Sequence, residues 1–269
     1  MNKKELQTFI GSHESRERFH FFQSQIEQGL DFDRCIGIHG TSLRTILEGI
    51  RTGFIPGSPA AKDEFYDESA RDLYLYPLQR HASLLPIGFE PLKEHIAWYQ
   101  ARKYAESNAF SYEFLDLLKL NKEIFYDVSP HLVRLMTYES PDVPTTMLDS
   151  DLDALSSIHS IDKETLSSII RRVDDVRVVA NEESISIFEN MGFTRAQLLS
   201  AREKALKYKG VLFGLHRDML DQYPILLGDT GEGDLRVRTR DGIDIKFISG
   251  FYVQGKKEMQ ILNRIKKII

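Results

Sequence analysis

Cysteine is nearly absent from this chain, because Cys35 is the only one among 269 residues. A single cysteine forms no intramolecular disulfide and no cysteine-based zinc cluster, so the sequence predicts a fold that does not depend on oxidation. Cys35 lies in an apolar run, which favours a small buried core residue over a reactive thiolate. The eight histidines also lack the i, i+4 spacing, with a glutamate between, that a helical metal hydrolase requires. The sequence therefore predicts no metal site.

Long apolar runs and a strong excess of one charge are missing as well. No run of about 18 apolar residues is present, so no membrane span is predicted. The segment from Met1 to Gln7 lacks the apolar centre of a secretory signal, and we expect a cytoplasmic protein, with signal-independent export left open. A net charge of −5 and a pI of about 5.9 give no general nucleic-acid signature. A local basic surface stays open.

What is present is the composition of a globular protein, with 42% hydrophobic and 28% charged residues. Such a chain buries one large core or two small ones. Helical spacing of apolar residues predicts helices over 14–28, 43–50, 95–109 and most of 115–206, with a loop at 138–147. Strands are predicted at 35–41, 72–77, 210–215, 235–239 and 245–253. The basic segment 256–269 is interpreted as a docking strand and a helix end.

This order of strands, helices and strands predicts an α+β fold. An early and a late group of strands enclose a helical block, so the sheet is completed by both ends of the chain. Ser42 is a predicted N-cap, and Gly53 is a predicted stop for the helix that Ser42 begins.

The most informative stretch is the end of the first strand, where His39, Gly40, Thr41 and Ser42 precede a helix that begins near Leu43. Glycine allows close approach of a ligand to the backbone, and the first turn of a helix offers unpaired N–H groups. Such corners bind ligands in many proteins. The alternative is an ordinary strand exit in which His39 only bonds to backbone.

Three separated pieces together resemble the ADP-ribosyltransferase fold of bacterial toxins and poly-ADP-ribose polymerases. The first is the His39 corner with its helix, and the second is the aromatic strand of Tyr74 with the later helix around Tyr104. The third is the strand that begins at Asp234 and Leu235. The resemblance covers the two ends of the chain. It implies a split mixed sheet with an N-terminal helix, in one domain over 1–269 with its core at about 30–110 and 208–255 and a helical insertion at about 115–206.

The resemblance also implies NAD as a substrate and assigns contacts to it. His39 would hydrogen-bond the adenosine ribose, the Gly40 backbone would pair with the nicotinamide carboxamide, and Tyr74 or Tyr76 would stack on the nicotinamide ring. The other candidate NAD contacts are Thr41, Ser42 and Tyr104. Breaking the bond between nicotinamide and ribose leaves an oxocarbenium-like sugar, which an acidic side chain near the ribose hydroxyls stabilises.

At that acidic position the chain departs from the family pattern. The most natural alignment places Asp234 where the family has glutamate, and Glu232 is the competing candidate. Aspartate is one methylene shorter, and a displacement of about 1 Å can cost on the order of a hundredfold in rate. Both acids are also typical of an exposed glycine-rich turn.

The functional expectation is transfer of ADP-ribose from NAD to an unidentified acceptor, with release of nicotinamide. Protein, nucleic acid and small-molecule acceptors stay open, as does simple NAD hydrolysis. The main alternative is a noncatalytic module of the same fold that binds NAD or another protein. In the transferase hypothesis the insertion would lie beside the cleft and would select the acceptor or cover the site.

A minor alternative rests on residues 178–193, which resemble the asparagine-to-glycine-phenylalanine segment of GNAT acetyltransferases. That fold needs a glycine-rich pyrophosphate loop upstream, and residues 115–177 do not supply it. A helix with Ile185, Phe188 and Met191 inward and Gly192 as its stop explains the segment without a cofactor.

Overall fold

The structure is a computed structural model that describes residues 3–59, 69–85, 91–121, 125–137, 182–228 and 233–269. Predictions for Glu232 and for the loop at 138–147 lie outside the described residues. The chain forms two compact units, the first made of 1–109 with 207–269 and the second of 110–206.

Helices and strands alternate in the first unit, while the described part of the second is helical. The helices are α1 (Lys3–Phe9), α2 (His13–Gln28), α3 (Leu43–Thr52), α4 (Glu94–Leu117), α5 (Phe125–Thr137), α6 (182–190), α7 (Arg195–Ala205) and α8 (Lys256–Lys266). The strands are β1 (Cys35–Thr41), β2 (Phe54–Ile55), β3 (Ser58–Pro59), β4 (Arg71–Pro77), β5 (Val211–His216), β6 (Ile225–Leu227), β7 (Leu235–Thr239), β8 (Ile243–Asp244) and β9 (Ile248–Val253). Short 3₁₀ helices cover Gln79–Leu84, Arg217–Asp221 and Ile245–Phe247.

The main sheet interleaves strands from both ends of the chain in the order β6-β7-β4-β1-β5-β9, with β3 beside β4. Strands β2 and β8 pair separately. The early and late strands therefore complete one sheet, as the sequence predicts for an α+β fold. Every ladder among the described strands is antiparallel, and Leu78 and Leu92 form an isolated parallel bridge. The resemblance implied a mixed sheet, whereas the ladders among the described strands are all antiparallel.

Helices cover the two faces of this sheet differently. On one face α1, α2, α3 and α8 contribute large apolar side chains, including Phe22, Ile46 and Ile265, to the main core of the first unit. On the other face α4 presents the small residues Ala97 and Ala101 to the sheet. Burial of each large apolar side chain contributes about 1.5–3 kcal/mol, so the main core dominates the stability of this unit.

The start and the end of α3 are confirmed as the sequence predicts them. The Ser42 hydroxyl accepts a hydrogen bond from the Thr45 N–H at 3.1 Å, which satisfies one of the unpaired donors of the first turn. Gly53 ends the helix in the left-handed conformation with φ of +92°. Ser42 and Gly53 therefore define the two ends of α3, which lies between β1 and β2.

Several boundaries differ from the sequence predictions. Helix α4 continues to Leu117, eight residues beyond the predicted end at 109. The segment 256–266 forms the single helix α8 and no docking strand, because Ile261, Leu262 and Ile265 lie on one helical face and are buried. Residues 245–247 form a 3₁₀ turn before β9. The three-residue strand β6 was not predicted.

The helix within the GNAT-like segment ends one residue earlier than its apolar pattern suggests. Ile185 and Phe188 are buried, as predicted, and Gly192 has φ of +95°. Met191 is 41% exposed, so the prediction that it points inward is wrong. It lies in the turn after α6, where the helical period no longer applies.

None of the helices in the described ranges is long and apolar enough to cross a membrane.

Candidate functional site

The ladder between β1 and β4 covers the middle of β1 and only the last two residues of β4. Its register contains only two pairs, Gly37 with Pro77 and Ile38 with Tyr76. By contrast, β1 pairs with β5 through to Thr41. Beyond Ile38 the structure shows no further backbone pair between β1 and β4, and we call this break in the pairing the opening.

His39 is the first residue of β1 beyond the last pair with β4, and its side chain contacts β4. In an antiparallel ladder the next pair would join the Gly40 N–H to the Tyr74 carbonyl. The Tyr74 carbonyl instead lies 2.5 Å from Nδ1 of His39. The β4 ladder thus leaves the Gly40 N–H, which faces the opening, without its usual acceptor.

The environment of His39 fixes the charge and the protonation of its ring. Burial lowers the pKa of His39 from 6.5 to about 4, although the bond to the Tyr74 carbonyl acts in the opposite direction. The imidazole is therefore neutral at pH 7, and because Nδ1 faces a carbonyl it carries the proton. Nε2 is then a hydrogen-bond acceptor that has no partner among the described residues.

The rings of His39 and of the two tyrosines leave the sheet on opposite faces. His39 packs on Phe213 of the main core, with ring centroids 4.9 Å apart. Leu73 and Leu75 also face that core, so alternation along β4 puts Tyr74 and Tyr76 on the face of α4. The structure thus joins His39 to the backbone of Tyr74 and keeps the imidazole apart from both phenol rings.

Tyr74 and Tyr76 differ in their access to a ligand. Tyr76 is 1% exposed and packs against Tyr104 of α4, with ring centroids 5.8 Å apart. Both rings are part of the small core under α4, and Tyr104 itself keeps some exposure. Tyr74 is half-buried, so it is the more accessible tyrosine of this strand.

Gly40 is required by packing as well as by its position at the opening. A Cβ atom built on Gly40 would lie 1.7 Å from the Ala101 carbonyl oxygen and 2.8 Å from the Ala105 nitrogen. Helix α4 therefore rests directly on the backbone of β1 at this residue. No other amino acid fits here without moving the helix.

Thr41 and Ser42 are packed inside the protein. Both are buried, and the Ser42 hydroxyl caps α3 and also lies 2.9 Å from the Thr45 hydroxyl. Their predicted role as NAD contacts therefore competes with the role of Ser42 in holding the helix.

Asp234 immediately precedes β7, the strand on the other side of β4. Leu235 pairs with Leu75, so Asp234 lies one residue beyond this pair, level with Tyr76. Its side chain is 2% exposed, and its carbonyl accepts a hydrogen bond from the Gly228 N–H at 2.9 Å. The sequence alternative of an exposed turn therefore does not describe Asp234. Glu232 lies outside the described residues.

A buried ion cluster on the same two strands was missed by the sequence analysis. The Asp72 carboxylate accepts two hydrogen bonds from Arg238, at 2.9 and 3.0 Å, and a longer one of 3.4 Å from Arg236. All three residues are buried. The alternation of arginines in β7 on the face away from the main core is the signal that could have revealed it.

Comparison of this chain with protein-family models, with curated proteins and with solved structures found no match. The site is therefore interpreted from its own geometry. Around the end of the β1–β4 ladder lie a backbone donor, a neutral imidazole acceptor, a half-buried aromatic ring and, one strand away, a buried carboxylate. The Gly40 N–H and the half-buried Tyr74 ring are suited to a polar ligand that carries a flat ring, whereas the His39 imidazole lies on the opposite face of the sheet.

Proposed function

We propose that this protein binds NAD at the opening between β1 and β4 and transfers ADP-ribose to an acceptor, with release of nicotinamide. The observation that carries the proposal is the early end of the β1–β4 ladder at His39 and Gly40. It supports a ligand at the same corner that the family resemblance singles out. The strands that carry Tyr74 and Asp234 are the next two along the sheet.

The proposed contacts follow from the hydrogen-bonding state of each group. The Gly40 N–H would donate to the carboxamide oxygen of nicotinamide, in place of the Tyr74 carbonyl. Nε2 of His39, an acceptor at neutral pH, would receive a ribose hydroxyl. Tyr74 would stack on the nicotinamide ring, because it is the more exposed of the two tyrosines in this strand.

The proposed reaction breaks the bond between the ribose C1′ and the pyridine nitrogen. Nicotinamide leaves with the bonding electron pair as a neutral base, and an acceptor atom attacks C1′ and loses its proton. A carboxylate near the ribose hydroxyls stabilises the positive sugar in the transition state. Asp234 is our first candidate for this group, and Glu232 is the alternative.

A noncatalytic NAD-binding protein is the second candidate function. The specific observation in its favour is the shorter carboxylate at position 234, whose side chain is 2% exposed. In that case the protein would bind NAD without releasing nicotinamide.

Two measurements on the purified protein separate these functions. NAD binding is followed by the shift in melting temperature, and nicotinamide release by chromatography. We expect His39→Ala and Tyr74→Ala to reduce the NAD-induced shift. We expect Asp234→Asn to keep the shift and to lower nicotinamide release by about a hundredfold. Glu232→Gln tests the alternative acid in the same way.

Exposed residues of the same types provide matched controls. His95→Ala and Tyr99→Ala change side chains on the surface of α4 and should leave both readouts unchanged. An NAD-induced shift without nicotinamide release would identify the binding protein. Absence of both in the wild-type protein would reject the proposal. Labelled NAD added to a cell lysate then shows whether label reaches a macromolecule.

A further inference from the structure

The outer surface of helix α8 is a cluster of positive charges. Lys256, Arg264, Lys266 and the adjoining Lys267 are exposed, and Lys257 is partly exposed. Within the part of the chain that the structure describes, none of these five cations forms an ion pair. We call this set the α8 basic surface.

Several cations on other exposed elements are paired with acids. These pairs are Arg51 with Glu48, Arg80 with Asp33 and Glu94, Arg102 with Glu106, Arg195 with Glu182, and Lys246 with Asp244. A chain with a net charge of −5 has enough acids to pair its cations. Other exposed cations without an ion pair among the described residues, such as Arg34, Lys93, Lys119 and Lys204, are spread over different elements, whereas five lie along α8.

The one acid of α8 is turned away from this surface. Glu258 is fully buried, and its Oε1 accepts hydrogen bonds from the Lys209 and Gly210 N–H groups, each at 2.7 Å. This contact also holds the chain at Lys209, a sixth cation, beside the start of α8. The negative charge is thus buried under the helix while the positive charges stay outside.

The stability of the helix explains only part of this charge pattern. Arg264, Lys266 and Lys267 lie at the C-terminal end of α8, where the helix dipole favours positive charge. Lys256 and Lys257 occupy the first turn, where the dipole disfavours it. The helix dipole therefore does not explain their position.

We propose that the α8 basic surface binds the phosphate backbone of nucleic acid. A helix of 11 residues is about 16 Å long, which spans several phosphates of one strand. Insertion into a membrane is disfavoured because Ile261, Leu262 and Ile265, the apolar side of the helix, are buried in the main core. Contacts to phosphate give affinity without sequence specificity. The inference does not depend on NAD binding or on ADP-ribosyl transfer.

Binding of a fluorescein-labelled DNA duplex and of a single-stranded RNA of equal length, measured by anisotropy, tests this proposal. We expect a Kd for the wild-type protein of about 10⁻⁶ to 10⁻⁴ M near physiological salt, with a steep salt dependence. The test variant replaces Lys256, Lys257, Arg264, Lys266 and Lys267 by glutamine. It should bind at least about tenfold more weakly, and its slope of log Kd against log salt should fall by about 4.

A charge-matched control separates this surface from general electrostatics. It replaces five cations of other elements by glutamine, namely Arg51, Lys93, Arg102, Arg217 and Lys246. This control should keep the affinity of the wild-type protein. The smaller variant Lys256→Gln with Lys257→Gln removes charges that the helix dipole disfavours, so it keeps the helix folded and should lower the slope by about 2.

Three results would overturn the proposal. They are no binding of either nucleic acid at low salt, equal loss in the test and control variants, or binding to phosphatidylserine vesicles without binding to nucleic acid.

Discussion

The neutral imidazole of His39 has a consequence for stability that depends on pH. Below pH 6.5 the unfolded chain binds a proton at this histidine, whereas the folded protein binds it only near pH 4. Acid therefore favours the unfolded state, and the contribution of His39 to stability is lost as the pH falls from 6.5 to 4. Because the pKa falls to about 4, this loss amounts to at most about 3 kcal/mol.

Replacing the imidazole by an uncharged amide should remove this dependence. We expect His39→Gln to lose less stability than the wild-type protein between pH 7 and about pH 4.5. Urea unfolding at several pH values measures the difference, and His95→Gln, at an exposed histidine, should behave like the wild type. Identical pH profiles for His39→Gln and the wild type would show that His39 is not held neutral.

Gly40 allows a structural prediction that is independent of any ligand. A methyl group at this position overlaps the Ala101 carbonyl, so Gly40→Ala should destabilise the protein by about 3 kcal/mol or more. Gly192→Ala is the control, because a Cβ there meets no atom within 4 Å and only the positive φ of +95° is strained. That control should cost about 1 kcal/mol. Equal losses in the two variants would contradict the close packing of α4 on β1.

At the scale of elements, a buried charge cluster holds β4 against β7. Asp72 and Arg238 lie 166 positions apart in the chain and join the strand of Tyr74 to the strand that follows Asp234. A buried carboxylate with arginine partners is costly to break, because removal of one partner leaves the other charge buried. The cluster thus fixes the register that brings the two candidate ligand strands together.

Asp72→Asn should destabilise the protein by about 3–5 kcal/mol, because it removes a buried charge that accepts hydrogen bonds from two buried guanidinium groups. The coupling between Asp72 and Arg238 is measured by a double-mutant cycle of Asp72→Leu and Arg238→Met in urea unfolding. The double variant should be more stable than the sum of the single losses predicts. Additive losses would show that the two side chains do not interact.

Local elements were more predictable from the sequence than their partners. Helix α3 was predicted with its cap and stop because Ser42 and Gly53 act within one turn of the chain. The extent of α4 and the short strand β6 were missed, since both depend on contacts with distant residues. The antiparallel ladders likewise follow from strand neighbours that no local pattern specifies.

For the candidate site, the sequence predicted that His39, Gly40 and Tyr74 come together, but not the contacts that each of them makes. His39, Gly40 and Tyr74 lie together, and the glycine and histidine of a strand end were the signal. The end of the ladder, the burial of Tyr76 and the use of Ser42 as a helix cap arise from tertiary packing. Residue types alone do not distinguish an exposed tyrosine from a buried one in the same strand.

At the scale of the whole molecule, the first unit is assembled from two distant parts of the chain. Strand β1 pairs with β5, and β4 pairs with β7, so the sheet exists only when residues before 109 meet residues after 207. The opening beside Gly40 is a property of this assembly. Binding of a dinucleotide beside Gly40 would therefore require the assembled sheet.

A crystal structure with a non-hydrolysable carba analogue of NAD tests this location most directly. We expect the carboxamide oxygen within hydrogen-bond distance of the Gly40 N–H, a ribose hydroxyl at Nε2 of His39, and the nicotinamide ring against Tyr74. A dinucleotide bound elsewhere, or an opening that stays closed by the His39 contact at saturating analogue, would contradict it.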